Sequence, residues 1–253
     1  MDNKRLRYFF TGTENISEDK LFLTEGEVHH LRDVIRLEEN NECNVLDGQG
    51  NIYHVRILSI SKNKVVCSIL DKVVAIKPSV QITLAQALPK GRKFDFIVEK
   101  ATELGIEKII PIEVERSVQS YKVDRFAKVY ARWQTISLQA MKQSLRPYYL
   151  EIEYPMSFSK LETILGDYDL VIFPVPGAEI YIDLQVQETL KTCRIKRVLL
   201  IIGPEGGFDE REISVLIKKG AKPVSLGELV LRTETASVAC MSFLKFILQT
   251  REK

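Results

Sequence analysis

The sequence predicts an α/β protein in which a parallel sheet follows a small β-barrel domain. From residue 76 to the C-terminus, strand-like apolar segments alternate with segments of helical spacing, the pattern of a parallel sheet covered by helices. Residues 1–75 instead contain several strand patterns and one short helix. A continuous apolar run at residues 198–202 leads into a glycine-rich turn, and open α/β sheets bind ligands at such turns.

The composition is typical of a globular protein, with 45% apolar and 28% charged residues in a chain of 253. We expect no secretory leader, since the basic N-terminus leads into polar residues. No run approaches the roughly 20 apolar residues of a membrane helix. The four cysteines lack metal-ligand spacing, so we expect reduced thiols and no metal. These observations favour a cytoplasmic protein that does not contact a membrane.

The first domain, residues 1–75, is predicted to be mostly β. A glycine-rich turn separates strand patterns at residues 44–46 and 51–57, as in a hairpin, and another strand is expected at residues 64–70. One short helix beginning near residue 24 is expected to bury apolar residues on a single face. These residues are Val28, Leu31, Val34 and Ile35. A β domain placed before an α/β domain is more often a binding module than the catalytic part.

The second domain, residues 76–253, is predicted to begin with a βαβ unit. Its predicted elements are a strand at 81–88, a helix at 94–105, a strand at 108–112, a long helix at 124–144, and short strands near 150–153, 170–173 and 198–202. A further helix is predicted to start at Asp209, because Asp209 and Glu212 form a capping-box pattern, and to close at Gly220. The last helix follows the spacing of Ala236, Met241 and Leu244.

Two glycine loops in the second domain predict a ligand pocket. The first loop is Gly203-Pro204-Glu205-Gly206-Gly207-Phe208, and the second runs from Leu226-Gly227 through an apolar segment to Arg232. Glycines let the backbone approach a bound molecule closely. No phosphate-binding motif is present, which argues against a nucleoside triphosphate or a dinucleotide. A small ligand held by backbone groups and apolar contacts remains, although an ordinary strand-to-helix turn is the alternative.

Basic residues outnumber acidic ones mainly between residues 76 and 155. Such a cluster is typical of a surface that binds a polyanion, and equally of a solvated helix face. Members of this cluster include Lys90, Arg92, Lys93, Arg116, Lys122, Arg125, Lys128 and Arg132.

Taken together, the two glycine loops resemble those of the SPOUT class of S-adenosylmethionine-dependent RNA methyltransferases. Within that class the chain is similar to the 16S rRNA uridine-N3 methyltransferase (RsmE) family. Further matching segments begin at Leu88, Glu99, Glu115 and Arg132 and extend the likeness over almost the whole chain. The departures from the family pattern are Lys142, where an acidic residue is usual, and Pro147, where the proline is displaced.

The resemblance implies a PUA-like RNA-binding barrel at residues 1–75 and a methyltransferase domain with a C-terminal trefoil knot at residues 76–253. It also implies S-adenosylmethionine as cofactor, 16S rRNA or the small ribosomal subunit as partner, U1498 as the usual target, and a homodimer. The implied cofactor-binding residues are Pro174, Ile202, Gly203, Pro204, Glu205, Gly206, Gly207, Leu226, Gly227, Leu229, Val230, Leu231, Arg232, Thr235 and Ala236. The implied RNA-binding residues are Arg5, Arg7, His30, Arg32, Arg36, Lys90, Arg92, Lys93, Arg116 and Arg146.

Methylation of uridine N3 requires the loss of a proton from that nitrogen, which a base or a cation must assist. Arg232 is expected to stabilise the charge on the uracil. Glu205 and Glu234 are the nearby carboxylates, and each could act as a base or could orient the loops; we favour orientation. Two alternatives stay open: a non-catalytic RNA-binding protein, and a methyltransferase that acts on another position, such as ribose 2′-O.

Overall fold

The computed structural model describes residues 7–117 and 123–249. These residues divide at Lys77 and Pro78 into two compact units, and the segment Leu138–Tyr149 belongs to the first of them. No helix within the described ranges is both long enough and apolar enough to cross a membrane.

The first unit contains a curled five-stranded sheet. Its elements are β1 (Tyr8–Phe10), β2 (Lys20–Thr24), α1 (Glu25–His29), β3 (Glu42–Leu46), β4 (Asn51–Ile60) and β5 (Lys64–Val74). The strand order is β1-β3-β4-β5-β2, with β1 parallel to β3 and the other pairs antiparallel. Phe9, Leu21, Val45 and Ile57 belong to its buried core. This sheet confirms the predicted β domain and its hairpin.

The turn of the β3–β4 hairpin is built around glycine. Gly48 and Gly50 have positive φ angles, and they lie against the rings of Tyr149 and Tyr148, where a Cβ atom would clash. Only glycine meets both the conformational and the steric requirement at these positions. The segment after the long helix therefore packs onto this turn within the first unit.

The helix of the first unit does not bury all the residues of its predicted apolar face. After α1 the chain continues as a π-helix from His30 to Ile35, which ends at Arg36 in the left-handed conformation. Val28 and Leu31 are buried as expected, but Val34 is 57% exposed. The expectation for Val34 was wrong because a π-helix has a longer repeat than the 3.6-residue period on which the predicted face was based.

The second unit is a parallel sheet covered by helices on both faces. Its strands are β6 (Gln81–Ala87), β7 (Lys108–Glu113), β8 (Glu151–Ile152), β9 (Met156–Ser157), β10 (Leu170–Pro174), β11 (Arg197–Ile202) and β12 (Lys222–Val224). Its helices are α2 (Lys93–Glu103), α3 (Val123–Ser144, whose end belongs to the first unit), α4 (Phe158–Ile164), α5 (Ile182–Thr192), α6 (Glu210–Lys218) and α7 (Thr233–Gln249). The strand order is β12-β10-β11-β6-β7-β8, with β9 also paired to β7.

Alternate residues of the central strands point into two separate cores. Leu84 and Leu200 face one core, which includes residues of α2 and α7, whereas Ala85 and Ile201 face the other, which includes Leu161 of α4 and Leu216 of α6. A strand that is buried on both faces must be apolar at every position, and this explains the continuous apolar run from which β11 was predicted. The predicted parallel α/β fold is confirmed.

The C-terminal segments do not follow the sheet in sequence order. β12 pairs with β10 at the edge, and the chain then returns so that α7 packs against β6, β11 and α2. This return toward the middle of the sheet agrees with the predicted C-terminal trefoil knot. It also brings the loop after β12 beside the loop after β11.

Candidate active site

A cavity of about 370 Å³ lies at the carboxyl ends of β10, β11 and β12 within the second unit. Its walls are formed by three loops that follow these strands and by the start of α7. Most of the residues predicted to bind a cofactor line it. They are Pro174, Ile202, Gly203, Pro204, Glu205, Gly207, Leu226, Gly227, Leu229, Val230, Leu231, Arg232 and Ala236.

Gly206 and Thr235 do not line this cavity. The carbonyl of Gly206 accepts a hydrogen bond of 2.9 Å from Nη1 of Arg116, and a Cβ atom at Gly206 would lie 3.5 Å from that arginine. Gly206 therefore lies against Arg116, and its role in cofactor binding stays a prediction. Thr235 is exposed on α7, and its neighbour Ala236 provides the cavity wall instead.

Several lining residues are not among the predicted cofactor-binding residues, although Phe208 and Glu228 belong to the two loops that predicted the pocket. They are Val175, Pro176, Gly177, Phe208, Ser225, Glu228 and Thr233. A signal was available for the first three, because Pro176 and Gly177 form a turn directly after β10, a strand of the same sheet. The carboxyl ends of parallel strands meet at one edge, so a third turn there could have been included.

The first loop, residues 203–208, is held in shape by its own backbone and by the helix that follows. Gly207 has a φ of 68°, which favours glycine, and its N–H donates to the carbonyl of Pro204 at 2.9 Å. Asp209 and Glu212 form the predicted capping box at the start of α6. Buried Glu212 also accepts the N–H of Glu115 at 2.9 Å, which joins α6 to the loop after β7.

A buried polar network ties this loop to α7 and β6. The hydroxyl of Thr233 donates to the carbonyl of Gly203 at 2.7 Å and lies 3.1 Å from Nε2 of Gln86. Oε1 of Gln86 lies 2.5 Å from the hydroxyl of Ser237. Gln86, Thr233 and Ser237 are all buried, so each polar atom needs its partner. The network therefore sets where Arg232 and Gly203 lie relative to each other.

Glu205 forms an ion pair in the wall of the cavity. Its Oε1 accepts a hydrogen bond of 2.7 Å from Nζ of Lys93 and one of 3.2 Å from the backbone N–H of Lys90. Burial raises the pKa of Glu205, but Lys93 and the backbone donors lower it by more, so the net pKa lies below its usual value. A carboxylate with a lowered pKa is a weak base, which favours a structural role for Glu205.

Lys93 and Glu234 complete this charged group. Nζ of Lys93 also lies 3.6 Å from Oε2 of Glu234, a buried oxygen with no hydrogen-bond partner within the described part of the chain. The hydrogen bond to Glu205 is the main reason that the pKa of Lys93 is raised. Lys93 was predicted to contact RNA, but its ammonium group is occupied by the two carboxylates.

Arg232 differs from Lys93 in being free. Its side chain is exposed, lines the cavity, and forms no hydrogen bond or ion pair with another described residue. Next to it, Leu229 and Val230 are 80% and 81% exposed. Among the residues that the structure describes, the site therefore presents one guanidinium group without a partner, beside an exposed apolar rim.

The remaining residues predicted to bind RNA fall into two groups. Lys90, Arg92, Arg7, His30 and Arg36 are exposed, whereas three others have partners within the protein. Arg116 binds the first loop, Arg32 forms two hydrogen bonds with the carboxylate of Asp33, and Arg146 donates to the carbonyls of Tyr148 and Tyr149. Arg146 is only 9% exposed, so we no longer expect it to contact RNA directly. Arg5 lies outside the described residues.

The two departures from the family pattern are accommodated inside the first unit. Nζ of Lys142 lies 2.5 Å from Oε1 of Glu27, and both side chains are largely buried. The other carboxylate oxygen of Glu27 accepts the N–H of Phe10. The carbonyl of Pro147 accepts the N–H of Gly50 at 2.9 Å. Both residues therefore have a structural role in this chain.

A broader hollow of about 560 Å³ lies at the amino ends of β6 and β11. It is lined mainly by residues 190–195 and by the end of α7, and it contains none of the predicted site residues. In open parallel sheets, ligands bind at the carboxyl ends of the strands. We therefore assign the smaller cavity, with its charged group and free arginine, as the candidate active site.

Comparison with known families gives two matches. Residues 76–245 match the model of an RNA methyltransferase domain, and residues 23–70 match that of an RNA methyltransferase PUA domain. The chain is 36% identical over 230 residues to the ribosomal RNA small subunit methyltransferase E of Aquifex aeolicus, which covers 88% of this chain and 93% of that protein. It is 29% identical over 245 residues to the protein of the same name from Bacillus subtilis, covering 95% and 96%.

Solved structures show the same fold. A methyltransferase from Legionella pneumophila in complex with S-adenosylmethionine superposes with a TM-score of 0.84 at 27% identity, covering 96% of this chain and 98% of that one. A ribosomal RNA small subunit methyltransferase E from Neisseria gonorrhoeae, bound to S-adenosylmethionine, gives 0.82 at 26% identity, again covering 96% and 98%.

Proposed function

This chain belongs to the RNA methyltransferase family, and we propose that it transfers a methyl group from S-adenosylmethionine to N3 of a uridine in the RNA of the small ribosomal subunit. The observation that carries the proposal is the cavity at the carboxyl ends of β10, β11 and β12, with the free guanidinium of Arg232 at its edge. The uridine is the one that the resembled family usually methylates.

The cavity suits S-adenosylmethionine in size and chemistry. Its volume of about 370 Å³ lies within the roughly 300–1,000 Å³ of small-ligand sites. Backbone groups of Gly203, Gly207 and Gly227 and the apolar side chains of Ile202 and Leu226 would hold the adenosine. When bound, S-adenosylmethionine supplies a methyl group on a sulfonium, whose departure as a neutral thioether requires no proton from the protein.

The task left to the protein is to align the uridine and to favour loss of its N3 proton. Arg232 would stabilise the negative charge that develops on the uracil oxygens, since its guanidinium is free and lies at the cavity. Glu205 is held by Lys93 with a lowered pKa, so it would orient the loop. The N3 proton would then pass to solvent at the open edge of the cavity, while the electron pair that stays on N3 forms the new bond to the methyl carbon. Alignment of reactants is itself worth about 7–11 kcal/mol in favourable cases.

The exposed basic residues of the two units would bind the RNA backbone. Lys90 and Arg92 in the second unit, and Arg7, His30 and Arg36 in the first, are exposed, and no hydrogen bond or ion pair joins their side chains to another residue within 7–117 or 123–249. Each phosphate that such a residue neutralises releases counterions and makes binding salt-dependent. The match of residues 23–70 to a PUA domain of RNA methyltransferases supports this assignment of the first unit.

The resemblance further supports a homodimer and, because the substrate is ribosomal RNA, a place in the cytoplasm. Sedimentation of the purified protein would test the dimer, and a monomer at micromolar concentration would contradict it.

Identification of the methylated atom tests the proposal directly. Unmodified small subunits would be incubated with the protein and S-adenosylmethionine carrying a deuterated methyl group, then digested to nucleosides for mass spectrometry. We expect labelled 3-methyluridine. Labelled 2′-O-methylated nucleoside would assign the enzyme to a different acceptor, and RNA binding without any labelled nucleoside would make it a non-catalytic RNA-binding protein.

A further inference from the structure

Three segments around the candidate site meet at the ammonium group of Lys93, the first residue of α2. Its Nζ lies 2.7 Å from Oε1 of Glu205 in the first loop and 3.6 Å from Oε2 of Glu234 in the first turn of α7. The N–H of Lys90, in the loop after β6, donates to the same oxygen of Glu205. Two carboxylates from distant parts of the sequence are therefore joined to the start of α2.

Lys93 also balances the charge of Glu234. Oε2 of Glu234 is buried and has no hydrogen-bond partner in the part of the chain that the structure describes, so Lys93 balances its charge. A buried charge without a counter-charge is costly. Without Lys93, the carboxylates of Glu205 and Glu234 would lie close together with no cation between them, and like charges at short distance repel.

Glu205 and Glu234 each sit next to a functional part of the site. Glu205 lines the cavity itself. Glu234 is two residues from Arg232 and adjoins Thr233, whose hydroxyl binds the carbonyl of Gly203. A change in the position of either carboxylate would therefore move a cavity wall or the free guanidinium.

We propose that Lys93 is a positioning residue for the cofactor cavity and for Arg232, and that it does not bind an RNA phosphate. The inference rests on the proposed function, because it assigns a role within that site. Lys90 and Arg92 lie one to three positions away in the same basic segment, and they differ from Lys93 in that no described residue pairs with their side chains. Of these three basic residues, Lys93 therefore positions the site, whereas Lys90 and Arg92 are left to bind phosphate.

The test compares Lys93→Met with Lys90→Met. The second variant is a matched control, since it removes a neighbouring charge but keeps the backbone N–H that Glu205 accepts. Calorimetry with S-adenosylmethionine and titration of small-subunit RNA at several salt concentrations would be run on both. We expect Lys93→Met to weaken cofactor binding about tenfold and to leave the salt slope unchanged. Lys90→Met should keep cofactor affinity and lower the salt slope by about one.

Steady-state kinetics separate positioning from a general loss of structure. Lys93→Met should raise KM for S-adenosylmethionine and also lower kcat at saturating cofactor, because Arg232 is displaced as well. Lys93→Arg keeps a cation that can reach both carboxylates and should restore most of both values. Glu205→Gln should reproduce part of the loss of affinity, because it weakens the pair with Lys93 but keeps the pair between Lys93 and Glu234. The double variant Lys93→Met/Glu205→Gln should be no weaker than Lys93→Met, since Lys93→Met already removes the pair with Glu205.

Unchanged cofactor affinity in a folded Lys93→Met protein would overturn the inference. A salt slope that falls as it does in Lys90→Met would overturn it too, and would assign Lys93 to a phosphate. If the wild-type protein itself fails to bind S-adenosylmethionine, the proposed function falls, and the inference falls with it; the two failures are therefore distinguishable.

Discussion

The two loops that line the same cavity are fixed in different ways. The loop at residues 203–208 receives hydrogen bonds from Lys93, Arg116 and Thr233, and it contains an internal turn. The loop at residues 226–231 has one hydrogen bond among the described contacts, from the N–H of Gly227 to the hydroxyl of Ser225. Leu229 and Val230 in that loop are almost fully exposed. We infer that the first loop is preformed, whereas the second acquires its order from the ligand.

The difference indicates that the two loops have different roles in ligand binding. A preformed wall avoids the cost of ordering backbone when the ligand binds. An exposed apolar loop can close over the adenosine and bury apolar area only in the complex. Arg232 stands at the junction of the two loops, directly before the residue that anchors α7 to the first loop. Variants in either loop should therefore fail in different assays.

The largest effect is expected for Arg232→Ala. Loss of one preorganised donor to developing charge typically lowers the rate about 10²- to 10³-fold. Affinity for either substrate should change much less. Because a higher pH supplies more deprotonated uracil without help, the deficit should shrink as pH rises. Single-turnover rates from pH 6 to 9 measure this, and a deficit that does not vary with pH would assign Arg232 to positioning alone.

A substitution at the base of the cavity should mainly affect binding. Ala236→Leu adds carbon atoms to a buried wall and should weaken S-adenosylmethionine about tenfold or more. Ala239→Leu is the matched control, since Ala239 is exposed on the same helix and does not line the cavity. Equal affinity of the two variants in calorimetry would remove Ala236 from the site.

The stability of the first loop, residues 203–208, should depend on the hydrogen bond from Thr233 to the carbonyl of Gly203. Thr233→Val removes the hydrogen bond to the carbonyl of Gly203 and one of the hydrogen bonds of the Gln86 amide, which should cost about 1–3 kcal/mol of unfolding free energy. Thr235→Val, at an exposed position two residues later, should cost nearly nothing. Urea denaturation compares the two, and an equal loss in both would show that the network does not stabilise the loop.

A substitution in the second loop, residues 226–231, should have the smallest effect. It should change the affinity for S-adenosylmethionine and not the stability of the free protein. Val230→Ser should leave the unfolding free energy within about 0.5 kcal/mol of wild type, since its side chain is exposed. Loss of apolar contact should weaken S-adenosylmethionine roughly two- to fivefold. A clear loss of stability in the free protein would contradict the assignment of this loop as unanchored.

The ion pair between Lys93 and Glu205 of the first loop should be insensitive to pH between about 6 and 9. The pKa of Glu205 is lowered and that of Lys93 is raised, so both stay charged from about pH 6 to 9. A group with a depressed pKa loses its stabilising effect only as the pH falls through that pKa. Cofactor affinity should therefore weaken through this pair only in acid, below the ordinary range of a carboxyl group. A change of affinity near pH 7 that disappears in Lys93→Met would contradict this.

The sequence predicted what is encoded locally. Asp209 and Glu212 lie three residues apart, so their capping box is visible before folding, and the apolar run of β11 reveals a strand buried on both faces. Most of the cavity was found for the same reason, since its walls are glycine turns that directly follow strands.

Features that depend on tertiary partners could not be predicted. Gln86 and Thr233 are 147 positions apart, and nothing in either segment indicates their hydrogen bond. Lys93 reads as one more member of a basic cluster until Glu205 is seen beside it. Arg146 is likewise indistinguishable from an exposed arginine until its carbonyl partners are known. The sequence shows which side chains are charged, but it does not show which of them are already paired with other groups of the protein.

Hydrogen–deuterium exchange of the free protein and of its complex with S-adenosylmethionine tests the contrast between the two loops most directly. We predict that residues 203–208 exchange more slowly than residues 226–231 in the free protein and change little when the ligand binds. At residues 226–231 we predict fast exchange in the free protein and strong protection in the complex. Equal protection of both loops before the ligand is added, or a larger change at residues 203–208, would contradict it.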